Sequence, residues 1–377
     1  MRFLPTLLAA SAALAGPILE AVSEKIPGEW IEVLRPDASA DAVRSSILSA
    51  RGTKHKATYS LGSFRGFKLS AADDQIAAIA KLAERAEDAA QSHVGARAAL
   101  EPRARRRRHI YYDSAGEGTY TYVIDSGIYT AHPDFEGRAS FGATFVDGED
   151  ESDRNGHGTH VAGTIGSATY GVAKKTELIA VKVLAEDGKG QLSNVIGGLE
   201  WAVNDAISKG HNFLFFLFFE EEENPTTTPD LSTFPSIGKS VANLSVGGLR
   251  FGNSMNEAAA AAVSAGLFLS VASGNSGWPA ILSSGPTTAG SSTCSHPGAN
   301  VTSTWIDGGV KVLSGTSVAA PHVAGLAAYL LALEGERDPI TLCEIIQELG
   351  TKDAVKNARS NAIPASNGAS LHSLTGH

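Results

Sequence analysis

From Thr119 onward, this chain alternates between short apolar runs and helix-like stretches, and this alternation restricts the fold more than any other feature. The apolar runs are rich in β-branched residues and lie at 120–124, 177–184, 241–246 and 267–272. The stretches with helical character lie at 157–166, 192–208, 255–265 and 317–333. Apolar strands separated by amphipathic helices predict an α/β fold with a doubly wound parallel sheet. Polar residues at the carboxyl ends of such strands are the first candidates for a functional site.

Two polar residues lie at the ends of predicted strands, and two others begin predicted helices. Asp125 and Asn275 each follow an apolar run, in the motifs DSG and SGN, whereas His157 and Ser317 each begin a helix, in NGHGTHVAG and GTSVAAPHVAG. A helix N-terminus offers unpaired N–H groups and the positive end of the helix dipole. A serine there can attack a substrate while its own N–H stabilises the developing oxyanion. A hydroxyl nucleophile also needs a base and a group that orients the base, and His157 and Asp125 fit these roles.

In the order Asp, His, Asn, Ser, these motifs resemble the subtilisin-like serine peptidases, and they are most similar to the proteinase K branch. The resemblance extends to YGVA at 170–173, VKVL at 181–184 and GKGQ at 188–191. It implies a secreted serine endopeptidase that hydrolyses peptide bonds in proteins through an acyl-enzyme intermediate.

The resemblance implies a role for each motif. Asp125 is expected to orient His157, His157 to act as the general base, Ser317 to attack, and Asn275 to donate to the oxyanion. Two chain segments are expected to pair with the peptide substrate. The predicted substrate-binding residues are Gly188 and Gly190 on one edge and Ser245, Val246, Gly247 and Gly248 on the other.

The sequence predicts no required cofactor and no metal in the site. His157 and His160 are three residues apart, but no intervening Glu matches the pattern of a zinc protease. The acidic stretch 147–153 lacks the ligand spacing of a calcium loop, so we expect a solvated loop, with calcium binding as the alternative. The usual calcium site of the resembled family lies in a segment that this chain lacks.

Two regions are expected before the catalytic domain. Residues 1–15 combine an early positive charge, an apolar stretch and small residues, which is typical of a secretory signal. Residues 16–108 resemble the inhibitor-type propeptide of the same peptidases, and residues 109–377 form the predicted subtilisin-like peptidase domain. The propeptide is expected to contain a small α+β, ferredoxin-like domain at about 29–90 and to inhibit its own enzyme. Its predicted elements are a strand at 30–34, a helix at 41–50, one or two strands within 59–69 and a helix at 73–86.

A basic linker is predicted at 97–108, where five arginines lie within 103–108. A run of like charge is usually a solvated segment, and this is the reading we favour. Cleavage by a convertase that recognises basic residues, or self-processing nearby, are the alternatives.

Composition limits the partners that such a chain can have. The 377 residues are 43% hydrophobic and 19% charged, which suits one large and one small globular domain. The net charge of −9 argues against nucleic-acid binding, and no apolar run reaches the ~18 residues of a membrane span. The resemblance, together with the predicted signal, implies an extracellular protein whose partners are protein and peptide substrates and its own propeptide, and we expect a monomer.

Two segments, 211–236 and 278–297, do not fit the resembled family. The first contains the apolar run FLFFLFF, and the second is shorter than the family's usual stretch. We interpret both as errors of the gene model, with a genuine surface insertion as the alternative for the first. The alternative function is accordingly a catalytically impaired binding protein or the product of a faulty gene model. An esterase is disfavoured, because no G-x-S-x-G motif joins a strand to a helix.

Overall fold

The computed structural model describes most of the predicted peptidase domain and parts of the region before it. The described residues are 18–19, 25–34, 39–49, 53–72, 75–76, 85–93, 97–98, 112–209, 238–247, 253–275 and 298–350. The predicted signal at 1–15, the arginine run at 103–108 and the segments 211–236 and 278–297 lie outside them.

The elements are numbered in chain order. The strands are β1 (Ile18–Leu19), β2 (Lys25–Val33), β3 (Lys54–Leu61), β4 (Phe64–Ser70), β5 (Arg85–His93), β6 (Arg97–Ala98), β7 (Tyr120–Asp125), β8 (Ala139–Thr144), β9 (Glu177–Lys182), β10 (Lys189–Gln191), β11 (Ser240–Leu244), β12 (Phe268–Val271), β13 (Val301–Thr304) and β14 (Val310–Ser314). The helices are α1 (Ala40–Ser49), α2 (His157–Gly166), α3 (Leu192–Lys209), α4 (Asn253–Ser264), α5 (Thr316–Glu334) and α6 (Pro339–Leu349), with a short 3-10 helix at Pro133–Phe135.

The central sheet has five strands in the order β12-β11-β7-β9-β8, and every neighbouring pair is parallel. The predicted α/β fold with a doubly wound parallel sheet is confirmed. All four predicted strands and all four predicted helices are present, with ends shifted by no more than a few residues. The sequence analysis missed β8, because its side chains are exposed or half-buried at the sheet edge and do not form an apolar run.

Helices cover both faces of this sheet and close two apolar cores. On one face, Tyr122 and Ile124 of β7 pack with α3 and α4, whereas Val123 points to the other face and packs with α2, α5 and α6. Side chains alternate between the faces of a strand. Both faces of β7 are therefore buried, which explains why this strand is a continuous apolar run in the sequence.

The helix α5 is apolar on all sides. Its length and its mean hydropathy of 1.5 would suit a membrane span, but 78% of that stretch is buried within the fold. A helix that is hydrophobic all round is either a core helix or a membrane span. Here α5 packs against α2, β11 and β12, so the core of this domain accounts for its composition.

The N-terminal region forms a second sheet, in the order β1-β5-β2-β4-β3, with α1 beside it. Trp30, Leu34, Phe67, Leu69 and Ile76 belong to its own small apolar core. The predicted helix at 73–86 is wrong at its end, because Arg85 and Ala86 belong to β5. Pairing with β2 holds this segment extended, whatever the local helix propensity of its residues.

The acidic side chain of Glu32 is buried in this N-terminal sheet. Glu32 lies on β2 with no exposed surface, and neither of its carboxylate oxygens has a hydrogen-bond partner among the described residues. Burial raises its pKa from the ordinary value of 4.5 to about 8. Between about pH 4.5 and 8, the Glu32 carboxyl therefore keeps its proton in the folded sheet but loses it in the unfolded chain.

We expect the N-terminal sheet to lose stability as the pH rises from about 4.5 through 8, by about 1.4 kcal/mol per unit of pKa difference. Glu32→Gln should remove this dependence, because the amide stays neutral. Hydrogen exchange of β2 and β4 amides in the full chain, corrected for intrinsic rates, measures the effect. Glu117→Gln, at an exposed site, is the control. A Glu32→Gln chain with the wild-type pH dependence would contradict the assignment.

Candidate active site

Asp125 and His157 form a buried hydrogen-bonded pair. Asp125 is the last residue of β7, and His157 is the first residue of α2. The His157 Nδ1 donates to the Asp125 carboxylate, at 2.8 Å from Oδ1 and 3.0 Å from Oδ2. A carboxylate can only accept, so the Nδ1 carries a proton, and Nε2 is the ring nitrogen that can accept one.

The glycine after His157 permits the close approach of the two loops. A methyl group added at Gly158 would lie 2.1 Å from the Gly127 carbonyl oxygen, which no side chain could accept. The Gly158 N–H also donates to the Ser126 hydroxyl, at 3.0 Å. The GHG motif therefore brings the start of α2 against the turn that follows Asp125.

Ser317 is the second residue of α5 and is 2% exposed. Its Oγ and the Nε2 of His157 are both buried and have no hydrogen-bond partner among the described residues. The serine–histidine hydrogen bond is therefore not formed here. Catalytic hydrogen bonds are often long without substrate and shorten in the substrate complex.

Asn275 lies against the loop that leads to Ser317. Its Oδ1 accepts from the Thr316 N–H at 2.8 Å and from the Thr316 hydroxyl at 3.0 Å. A side chain built on Gly315 would begin 3.2 Å from Asn275 Nδ2 and 3.5 Å from Ser317 Oγ. The amide nitrogen and the serine hydroxyl therefore border one small space, which the glycine, at φ 154°, leaves open.

Ser245 supports the helix that carries Ser317. Pro321 lies within α5 and has no N–H, so the Ser317 carbonyl lacks its usual partner four residues on. The Ser245 hydroxyl donates to this carbonyl at 2.6 Å. Its side chain thus positions the helix, and only its backbone remains for the predicted contact with substrate.

The other predicted substrate-binding residues lie on two segments. Gly188 adopts φ 75° in the turn before β10, and Gly190 lies within β10, which pairs antiparallel with residues 91–93. Val246 is fully buried, whereas Gly247 faces open space. Gly248 lies outside the described residues.

The expectation of a solvated acidic loop is wrong for Asp153, which is only 6% exposed. Its Oδ1 accepts from the Ser126 hydroxyl and from the N–H groups of Asn155 and Gly156, at 2.8–3.1 Å. Its Oδ2 accepts from the N–H and the hydroxyl of Thr159, at 2.9 and 2.6 Å. The carboxylate therefore joins the start of α2 to the turn after Asp125. In the sequence, only the position of Asp153 four residues before His157 could have indicated this buried role.

His160 packs one turn after His157. Its Nε2 lies 3.1 Å from the Val301 carbonyl and 3.2 Å from the Lys311 carbonyl, where it can donate to both. Burial, and then the nearby His157, lower its pKa to about 4. The ring is therefore neutral at physiological pH and ties α2 to the β13–β14 hairpin. Among the described residues, no three His, Cys, Asp or Glu side chains cluster as metal ligands.

Comparison with known proteins points to one family. A sequence profile described as the subtilase family matches residues 116–300. The cuticle-degrading protease of Metarhizium anisopliae is 39% identical over 274 residues, which cover 67% of this chain and 64% of that protein. Proteinase T of Parengyodontium album is 41% identical, covering 67% of this chain and 84% of that protein.

A further relative and a solved structure are also subtilisin-like proteases. The subtilisin-like serine protease Pen c 1 of Penicillium citrinum is 42% identical over 63% of this chain and 59% of its own length. The crystal structure of a cold-adapted subtilisin-like serine proteinase matches 73% of this chain and 94% of that chain, with a TM-score of 0.57 and 31% identity. The present chain thus spans less than two thirds of the first and third of these relatives.

We expect Asp153→Ala to lower both stability and activity. The change leaves five donors, four of them buried, without their acceptor, so the free energy of unfolding should fall by at least about 2 kcal/mol. A shift of the α2 start by about 1 Å should reduce turnover by up to ~10²-fold. Thermal unfolding and peptide hydrolysis per folded molecule measure the two effects. The matched control is Asp150→Ala in the same loop, whose side chain is 52% exposed; equal losses in both variants would contradict the role of Asp153.

Proposed function

Because the chain belongs to the subtilase family, we propose that it is a secreted serine endopeptidase made as a self-inhibited precursor. The observation that supports this proposal is the buried Asp125–His157 pair, whose free ring atom Nε2 is, like the Ser317 hydroxyl, buried without a hydrogen-bond partner among the described residues. The chemistry needs no cofactor. Extracellular protein substrates and a monomeric state belong to the same proposal.

The proposed reaction has two steps. Ser317 Oγ attacks the scissile carbonyl carbon while its proton passes to His157 Nε2, and Asp125 stabilises the imidazolium. The Ser317 N–H and the Asn275 Nδ2 donate to the oxyanion, and the loss of one such donor typically lowers turnover by ~10²–10³. The C–N bond then breaks as His157 returns the proton to the leaving amine. Water hydrolyses the remaining ester, with His157 again acting as the base.

The proposal predicts that Ser317→Ala abolishes both labelling by a fluorophosphonate probe and hydrolysis of casein. Such probes react with an activated serine hydroxyl, which alanine lacks. The control is Ser208→Ala on the exposed end of α3, which should label like wild type. Continued labelling of the Ser317→Ala chain would place the nucleophile elsewhere.

The second candidate function is a catalytically impaired binding protein. The unformed serine–histidine hydrogen bond favours it, since a hydroxyl without a base is unreactive. Purified protein that neither clears casein nor takes up the probe would support this alternative.

The inhibitory role of the N-terminal region is supported by its contacts with the peptidase domain. Residues 91–93 of β5 pair with β10, the edge predicted to bind substrate. The Tyr59 hydroxyl donates to the Ser193 carbonyl at 3.2 Å, and the Ser60 N–H donates to the Glu200 carboxylate at 2.7 Å. A segment held on β10 would exclude a peptide substrate from the same edge.

The same region also pairs with the strand that precedes the nucleophile. Arg97 and Ala98 pair antiparallel with Ser314 and Leu313 of β14, two residues before α5 begins at Thr316. The chain is thus held on β10 up to His93 and on β14 from Arg97, while residues 94–96 between them lie outside the described part. A segment that pairs both with the predicted substrate edge and with the strand leading to Ser317 is held as we propose for a substrate.

We therefore expect the precursor to cut itself between His93 and Arg97, upstream of the arginine run. N-terminal sequencing of the purified mature protein locates the cut, and a Ser317→Ala precursor should stay whole. A mature N-terminus within 103–108 that also appears in the Ser317→Ala chain would instead indicate a separate convertase.

A further inference from the structure

Lys182 is a fully buried cation at the end of β9, next to Asp125 in the parallel register. Its Nζ donates to the Ser126 carbonyl at 2.8 Å and to the Leu184 carbonyl at 3.0 Å. Glu149 Oε2 lies 3.1 Å from the same nitrogen. Moving an ammonium group out of water is costly unless it is paired and hydrogen-bonded. Here three oxygen atoms supply that compensation.

Two of these oxygen atoms belong to different parts of the site. The Ser126 carbonyl lies in the turn directly after Asp125. The Leu184 carbonyl lies at the start of the turn that leads into β10, where Ala185 N–H donates to the Lys189 carbonyl at 2.8 Å. The Lys182 ammonium group therefore links the turn after Asp125 to the turn that leads into β10, the predicted substrate-pairing edge.

Glu149 strengthens the second of these links. Its Oε1 accepts from the Glu186 N–H at 3.1 Å, in the same turn before β10. Its side chain is 20% exposed, so it closes the buried Lys182 site from the solvent side. A change at Glu149 thus disturbs the substrate-pairing edge while the contact of Lys182 with Ser126 remains.

We propose that Lys182 is a positioning residue for peptide hydrolysis, acting on Asp125 through Ser126 and on bound substrate through the turn that carries β10. The proposal rests on the proposed endopeptidase function. The alternative is a buried ion pair that stabilises the domain and has no separate effect on binding or turnover.

Steady-state kinetics with two substrates separates these possibilities. One substrate is a short ester that cannot reach β10, and the other is a longer peptide that can pair with it. Rates are expressed per active site titrated with a fluorophosphonate, so that misfolded molecules do not count. Lys182→Met should lower kcat for both substrates by about tenfold or more, and should raise KM for the long peptide alone.

Two further variants keep the test decisive if Lys182→Met folds poorly. Lys182→Arg retains the charge and the donors, so it should recover a large part of the lost kcat. Glu149→Gln should raise KM for the long peptide about threefold or more and leave kcat within about twofold. Wild-type constants per titrated site in Glu149→Gln and in Lys182→Met would overturn the proposal.

Hydrogen exchange gives a readout that does not require activity. Lys182→Met should increase exchange both in the turn after Asp125 and in residues 185–191, whereas Glu149→Gln should affect only the latter. Uniform change across the whole sheet would indicate a merely structural ion pair and would overturn the proposal. A wild-type chain that takes up no fluorophosphonate contradicts the proposed function, but the exchange pattern would still decide the role of Lys182.

Discussion

The buried hydrogen bond between Asp125 and His157 is the interaction on which the rest of the site depends. Both side chains are almost completely removed from water, where an unpaired carboxylate would be costly. The pair is possible because Asp125 ends β7, the middle strand of the central sheet, and His157 begins α2 beside that strand end. The bond orients the imidazole and keeps its Nε2 as an acceptor.

Much of the surrounding structure compensates for backbone groups that this arrangement leaves without partners. Gly156, the residue before α2, gives no side-chain cap, and the Asp153 carboxylate accepts the N–H groups at this helix start instead. Pro321 leaves the Ser317 carbonyl without a helical partner, and Ser245 supplies one. Neither Asp153 nor Ser245 is a predicted triad residue, yet each determines where one lies.

The strands that sequence analysis recovered in the central sheet are mostly apolar because they are mostly buried. β7, β9 and β11 are buried on both faces, and β12 is buried on one face and partly buried on the other, so all four were predicted. The half-exposed β8 and the polar β13–β14 hairpin give no comparable signal. The sequence RAEDAAQSH of β5 favours a helix by composition, and only its pairing with β2 and β10 makes it a strand.

The sequence by itself determined the class of fold and predicted four principal site residues, because periodicity and short motifs are local properties of the chain. It could not distinguish Asp153 from its exposed acidic neighbours, or Lys182 from any lysine on a strand. Both contact Ser126, which is distant from them in the chain, and several of their partners are backbone groups, which carry no sequence signature. Only the tertiary structure decided which charges are hydrogen-bonded inside the protein, since desolvation and the available partners depend on packing.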